Sequence, residues 1–277
     1  MFSNILVAVD GSDISYAAFD RAAEITKWNN AKLHAIFVIE TRIGVSGPME
    51  PSGEIIRQRL EAEGEDTIQH VLKQADEYGV NLETHTEVGS AGSLIVKTAE
   101  KLDSDLIVAG SLGKSAFDRL FLGSVSSYVA KESSTNFLIV RDEGKKKEKI
   151  YSNILAAVDG SAISYLAFSR AADIAKQTGA ALHAVHVRSS KEQESAEGEE
   201  DILEKIKELA ADKQIAVETH EESGHPGNVI VKLADDLSSD LIVAGSLGKS
   251  AINRLFLGSV SSYIAKAAKT NFLIVRN

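Results

Sequence analysis

There is no cysteine among the 277 residues. Disulfides, thiolate metal sites and thiol catalysis are therefore excluded, and the composition fits a cytoplasmic protein. No apolar run approaches the ~20 residues of a membrane span. Met1-Phe2-Ser3-Asn4-Ile5-Leu6 leads into a strand-like run without the basic start and apolar core expected of a signal peptide. Positive charge is in deficit, with 30 Lys and Arg against 40 Asp and Glu and a net charge of −10. That balance argues against general binding to nucleic acid or to anionic membranes. Catalytic signatures are absent as well: there is no Ser/His/Asp triad pattern and no His-Glu-x-x-His. The seven histidines show no metal-ligand spacing. His183 and His186 are three apart on a predicted strand and so face opposite ways, and His34 and His183 hold equivalent, packed strand positions.

What is present is a duplication. Asn4 to Ser12 returns as Asn153 to Ser161, and Asp105 to Arg141 returns as Asp240 to Arg276 with six substitutions. A repeat of about 140 residues has the size of a whole domain rather than of a solenoid unit. Each copy carries the same glycine pattern: Gly110-Ser111-Leu112-Gly113, nine residues, Gly123-Ser124, and then Gly245-Ser246-Leu247-Gly248, nine residues, Gly258-Ser259. The middles differ. Repeat one has a Gly/Pro loop from Thr41 to Gly53, where repeat two has a charged stretch from Ser190 to Glu200. The expected division is 1–141 and 151–277, joined by a charged, solvated linker at 142–150. A content of 44% hydrophobic and 25% charged residues suits two domains, each with its own core.

Strand-like and helix-like runs alternate in each repeat. Ile5 to Val9, Leu33 to Ile39, Val80 to Val88, Leu106 to Ala109 and Asn136 to Arg141 read as strands. Between them, helices start after Ser12 or Asp13, at Glu54, at Leu94 and at Ser124. This order predicts an α/β fold, two tandem doubly wound domains with parallel sheets and right-handed crossovers. In such sheets ligands bind beyond the carboxyl ends of the strands, where strand order reverses. Asp10 ends the first strand and Gly110 the fourth, so both face one crevice if those strands are neighbours; Asp159 and Gly245 repeat the arrangement. A strand that ends in glycines and leads to a helix N-terminus suits phosphate, because backbone N–H groups and the helix dipole both favour an anion there. Asp10 would suit a ribose hydroxyl or a polar base edge, or would cap the following helix. Lys114, Arg119, Lys249 and Arg254 lie within the spacers as phosphate contacts or as exposed charges. Two common phosphate motifs do not apply. A P-loop needs glycine where Val108 and Val243 stand, and Asp10-Gly11-Ser12 has one glycine of a three-glycine dinucleotide fingerprint.

The glycine pattern, together with a first strand ending in Asp10, resembles the universal stress protein family, twice over and across nearly the whole chain. The resemblance implies five-stranded parallel sheets in the order 3-2-1-4-5 and binding of ATP. By this likeness Val9 and Val38 line the adenine, Asp10 meets the ribose or adenine end, and Gly110, Gly113, Gly123 and Ser124 hold phosphates beside Val125. The same roles fall on Val158, Val187, Asp159, Gly245, Gly248, Gly258, Ser259 and Val260. It further implies edge pairing of the fifth strands, Phe137 to Val140 with Phe272 to Val275, as an intrachain pseudo-dimer, with a homodimer as a further step. One departure stands out: repeat two has the family's Gly224-His225-Pro226, but repeat one has Gly89-Ser90-Ala91.

Three functions follow from these readings. The first is a regulatory module of the stress response that binds ATP, ADP or AMP. The second is a slow ATPase or nucleotide-transferring enzyme, using Ser124 and bound magnesium without an evident base. The third is an interaction scaffold whose glycines are only turns.

Overall fold

The computed structural model describes residues 2–40, 51–112, 122–141, 150–188, 201–248 and 257–276, with the side chains of 51–56 left aside. The first repeat runs β1 (Asn4–Val9), α1 (Asp13–Asn29), β2 (Lys32–Ile39), α2 (Pro51–Tyr78), β3 (Leu82–Val88), α3 (Ala91–Lys101), β4 (Leu106–Gly110), α4 (Ser124–Glu132) and β5 (Asn136–Val140). The second runs β6 (Asn153–Val158), α5 (Ala162–Thr178), β7 (Ala181–Arg188), α6 (Ile202–Asp212), β8 (Glu218–Ser223), α7 (Pro226–Asp236), β9 (Leu241–Gly245), α8 (Ser259–Ala267) and β10 (Asn271–Val275).

Each repeat has the strand order 3-2-1-4-5, and the two halves join into one ten-stranded sheet, β3-β2-β1-β4-β5-β10-β9-β6-β7-β8. Beyond the asparagine that opens β1, β5, β6 and β10, the six central strands are apolar because both faces are covered, as parallel sheets require. One core lies under α1, α2, α5 and α6, and includes Val7, Phe19, Phe37, Val71, Phe168 and Ile206. The other lies under α3, α4, α7 and α8, and includes Leu6, Ile36, Ile95, Ile107, Ile230 and Ile264. The edge strands β3 and β8 are the exception, with mostly polar, exposed residues that discourage further pairing.

The helix ends follow local chemistry. Ser12 and Ser161 cap α1 and α5 by accepting from the N–H of Ser15 and Ser164. Gly179 closes α5 in the left-handed region, φ 66°. Helix α2 starts at Pro51, three residues before the expected Glu54, because proline fits a first helical turn where no backbone donor is needed. Of the repeat-one loop, 41–50 lies outside the described residues, as do the charged stretch 190–200 and residues 142–149 of the linker. Ile150, the last residue of that expected solvated linker, is instead buried, as is Tyr151 after it.

The joint between repeats is antiparallel: Phe272, Leu273 and Ile274 pair with Ile139, Leu138 and Phe137. Its contacts are reciprocal. The Arg141 N–H donates to Asn271 Oδ1 (2.8 Å) and the Arg276 N–H to Asn136 Oδ1 (2.9 Å). The Arg141 guanidinium donates to the Ala265 carbonyl in the last turn of α8, and that of Arg276 to the Ala130 carbonyl in the last turn of α4. A cation at a helix carboxyl end is favoured by the dipole. Burial holds both guanidinium pKa values down, Arg141 to about 10. The repeats thus form an isologous pair within one chain.

Candidate functional site

β1 and β4 are neighbours, with Ile5, Leu6 and Val7 opposite Leu106, Ile107 and Val108. β6 and β9 pair in the same way. Strand order reverses at these junctions, so Asp10 and the end of β4 border one crevice, and Asp159 and the end of β9 another.

The Asp10 turn is built by hydrogen bonds. Asp10 Oδ1 accepts from the Ser12 N–H (3.0 Å) and from Ser12 Oγ (2.5 Å), and the Asp10 N–H donates to Ser15 Oγ (3.3 Å). Gly11 sits at φ 80°, a left-handed conformation that excludes most side chains. Asp159, Gly160 (φ 79°), Ser161 and Ser164 reproduce the turn. Asp10 therefore supports the helix start, and Ser12 makes the cap itself.

The exits of β4 and β9 are equally well defined. The Ser111 N–H donates to the Val140 carbonyl (2.7 Å), and the Gly123 N–H returns to the Ser111 carbonyl (2.7 Å). Ser126 Oγ donates to the Gly110 carbonyl (2.6 Å) and anchors α4 to β4. Ser246, Gly258 and Ser261 make the matching bonds. Gly123 and Gly258 are the N-cap residues of α4 and α8, so the N-cap position of neither helix supplies a capping side chain. Among the described residues no acceptor meets the first-turn N–H groups, beginning with those of Ser124 and Ser259. Ser124 and Ser259 are exposed at the first helical position, and Val125 and Val260 are half-buried beside them. The serines therefore begin the helices, and the capping position belongs to glycine.

The remaining predicted residues divide. Gly113 and the basic residues of the spacers, Lys114, Arg119, Lys249 and Arg254, lie outside the described residues. Gly248 is described and approaches Asp159 closely: a Cβ there would stand 2.8 Å from Oδ2. A Cβ on Gly258 would stand 3.2 Å from the Ser246 carbonyl oxygen. Gly110 and Gly245 have a packing reason to be glycine, since a Cβ would meet Ile14 or Ile163 Cγ2 at 2.9 Å. Val38 and Val187 lie on the α3/α4 and α7/α8 side with Val125 and Val260. Val9 and Val158 lie on the opposite side. On the α3/α4 and α7/α8 side, β1 and β6 present Ala8 and Ala157, two residues before each aspartate and on the same face by alternation.

The histidines give a second result. His183 and His186 do face apart: the His186 ring bonds the Val158 carbonyl (3.0 Å), whereas His183 Nδ1 lies 3.1 Å from His220 Nε2. His34 Nδ1 lies 3.3 Å from His85 Nε2. Burial lowers the pKa of His34 and His183, against the opposing pull of Glu83 and Glu218.

These features define a tandem α/β protein with one crevice per repeat, each bordered by an aspartate turn and a helix whose N-cap is glycine. The chain belongs to the universal stress protein family, whose sequence profile matches residues 1–141 and again 150–276. It is 36% identical over 146 residues to a universal stress protein of Methanocaldococcus jannaschii, an alignment that covers 53% of this chain and 86% of the relative. In fold it is similar to the crystal structure of a universal stress protein from Archaeoglobus fulgidus, with a TM-score of 0.75 at 21% identity, covering 99% of this chain and 98% of the other. It is similar also to a Pseudomonas aeruginosa protein described as functionally unknown, with a TM-score of 0.71 at 16% identity, covering 99% and 92%. No described helix is long and apolar enough to cross a membrane.

Proposed function

We propose that the chain is a regulatory module that binds adenine nucleotide in both crevices: ATP, with ADP and AMP sharing the same adenosine handle. The observation that carries this reading is the convergence, in each repeat, of an aspartate turn with a helix whose N-cap is glycine. Ser124 and Ser259 stand at those helix starts, beside Val125 and Val260, where N–H groups and dipole favour phosphate. Asp10 and Asp159 serve the ribose or base end, with Val38 and Val187 on the same side of the sheet as the helices. Val9 and Val158 would contribute through backbone, because their side chains belong to the other core. Magnesium would accompany the triphosphate and screen its charge. The units are 1–141 and 151–277, and the absence of cysteine supports a cytoplasmic setting.

The packing reason for Gly110 and Gly245 favours a second reading, an interaction scaffold in which these glycines only close turns. Titration of the full chain with ATP, ADP and AMP, with and without magnesium, separates the two. Two binding events, both lost in Gly123→Val with Gly258→Val while the fold persists, are expected. Failure to bind any adenine nucleotide at millimolar concentration sinks the nucleotide reading. Pairing of two chains is a separate step, read by light scattering; a compact monomer removes it.

A further inference from the structure

The outer strands carry a three-residue constellation that the crevices do not use. In repeat one, His34 on β2 stands opposite Glu83 on β3, and His85 follows two residues on, next to His34. In repeat two, His183 on β7 stands opposite Glu218 on β8, with His220 in the same relation. Each set places one nitrogen from each imidazole and one carboxylate oxygen within 4.8 Å of one another. We propose that each set is a binding site for a divalent transition-metal ion of the zinc class, two per chain.

The distances suit that ion. Ligand atoms 2.0–2.1 Å from a tetrahedral centre are about 3.3 Å apart. The imidazole nitrogens are separated by 3.3 Å in repeat one and 3.1 Å in repeat two. The His34 Nδ1 to Glu83 Oε2 distance is 3.5 Å and the His183 Nδ1 to Glu218 Oε2 distance 3.6 Å. His220 Nε2 and Glu218 Oε1 are 3.9 Å apart, close enough for a carboxylate turn to adjust. Two imidazoles and one carboxylate form a zinc-type donor set that leaves a fourth position for water, whereas magnesium and calcium prefer all-oxygen sets. In each set one histidine is buried, one half-buried and the glutamate exposed. The ion therefore has a rigid anchor and an open route in. Without metal, one ring N–H donates to the other ring nitrogen, so the apo form is satisfied too.

The duplication argues against accident. The two histidines are 51 residues apart in repeat one and 37 in repeat two, because the intervening segments differ. The same three residue types nonetheless return in the same register. The sites also stand clear of the crevices: His34 lies four residues before Val38, or roughly 13 Å along the strand.

The test is zinc titration of the tag-free, chelator-treated full chain without nucleotide, read by competition with a chromogenic chelator. Two equivalents are expected with micromolar affinity or better. His85→Ala should remove one, and His85→Ala with His220→Ala both. Glu83→Gln with Glu218→Gln alters exposed groups that the fold does not need, and should weaken binding about tenfold or more. Cobalt substituted for zinc should give tetrahedral visible bands that vanish in the double histidine variant. Gly123→Val with Gly258→Val should leave zinc stoichiometry at two, which separates these sites from the crevices. Fewer than two equivalents in the parent chain, or two that persist in either double variant without loss of affinity, overturns the proposal.

Discussion

A methyl group on Gly248 would stand 2.8 Å from Oδ2 of Asp159. The loop leaving β9 thus touches the turn that follows β6, and the two motifs that sequence alone places far apart share one wall of the crevice. Gly248 is otherwise exposed, so its substitution disturbs this contact rather than the core. Gly248→Ala should weaken one of two nucleotide-binding events by about tenfold, or ~1.4 kcal/mol, and leave the other unchanged. Isothermal titration distinguishes the outcomes; two unaffected events would separate Gly248 from the ligand.

Asp10 holds the Asp10-Gly11-Ser12 turn through two bonds to one oxygen. Asp10→Ala removes the one acceptor of both bonds at the start of α1, and its expected cost is about 1–2 kcal/mol of stability. Urea denaturation measures it, and Asp159→Ala should behave alike because its turn has the same bonds.

Gly110 sits against Ile14, whose Cγ2, Cγ1 and backbone carbon would lie 2.9, 3.2 and 3.3 Å from an added Cβ. Gly110→Ala should cost ~1–3 kcal/mol by overpacking. Ile14→Ala in the same chain should recover part of that loss and not all, since the backbone carbon cannot move aside. An unchanged midpoint for Gly110→Ala would show that α1 gives way freely.

The joint between repeats rests on Asn136 and Asn271, each accepting from the backbone N–H of the opposite arginine. Asn136 also donates to the Asp105 carbonyl (2.7 Å). Asn136→Ala and Asn271→Ala should each cost about 1–2 kcal/mol, because each leaves a partly buried backbone donor without its acceptor. If β5 and β10 bind the halves into one cooperative unit, the parent chain unfolds in one transition; the double variant should split it into two, visible by calorimetry.

Much of this was legible in the sequence. Continuous apolar runs such as Leu106 to Ala109 announced buried parallel strands, and the repeated Asp-Gly-Ser and glycine patterns marked the crevice before any topology was known. Other features depend on register or close approach, which no local pattern encodes. The His34, Glu83 and His85 set appears only when β2 and β3 align. Gly110 looks like part of a phosphate loop until Ile14 is seen above it. Val9 and Val38 look like partners until alternation puts them on opposite sides of the sheet. The periodicity starts α2 at Glu54 and the helix begins at Pro51, because proline reads as a loop residue although a first helical turn accepts it.

Every strand pairing inside a repeat is parallel, whereas β5 meets β10 antiparallel. The carboxyl ends of the two sets of strands therefore point in opposite directions, and the crevices open at opposite rims of one continuous sheet. Four strand spacings, roughly 19 Å, separate the β1/β4 junction from the β9/β6 junction across the sheet. A ligand leaving one mouth must pass through solvent to reach the other. Within the sheet, occupancy of one site can reach the other only across β4, β5, β10 and β9, and a partner that reads both must reach around two opposing rims.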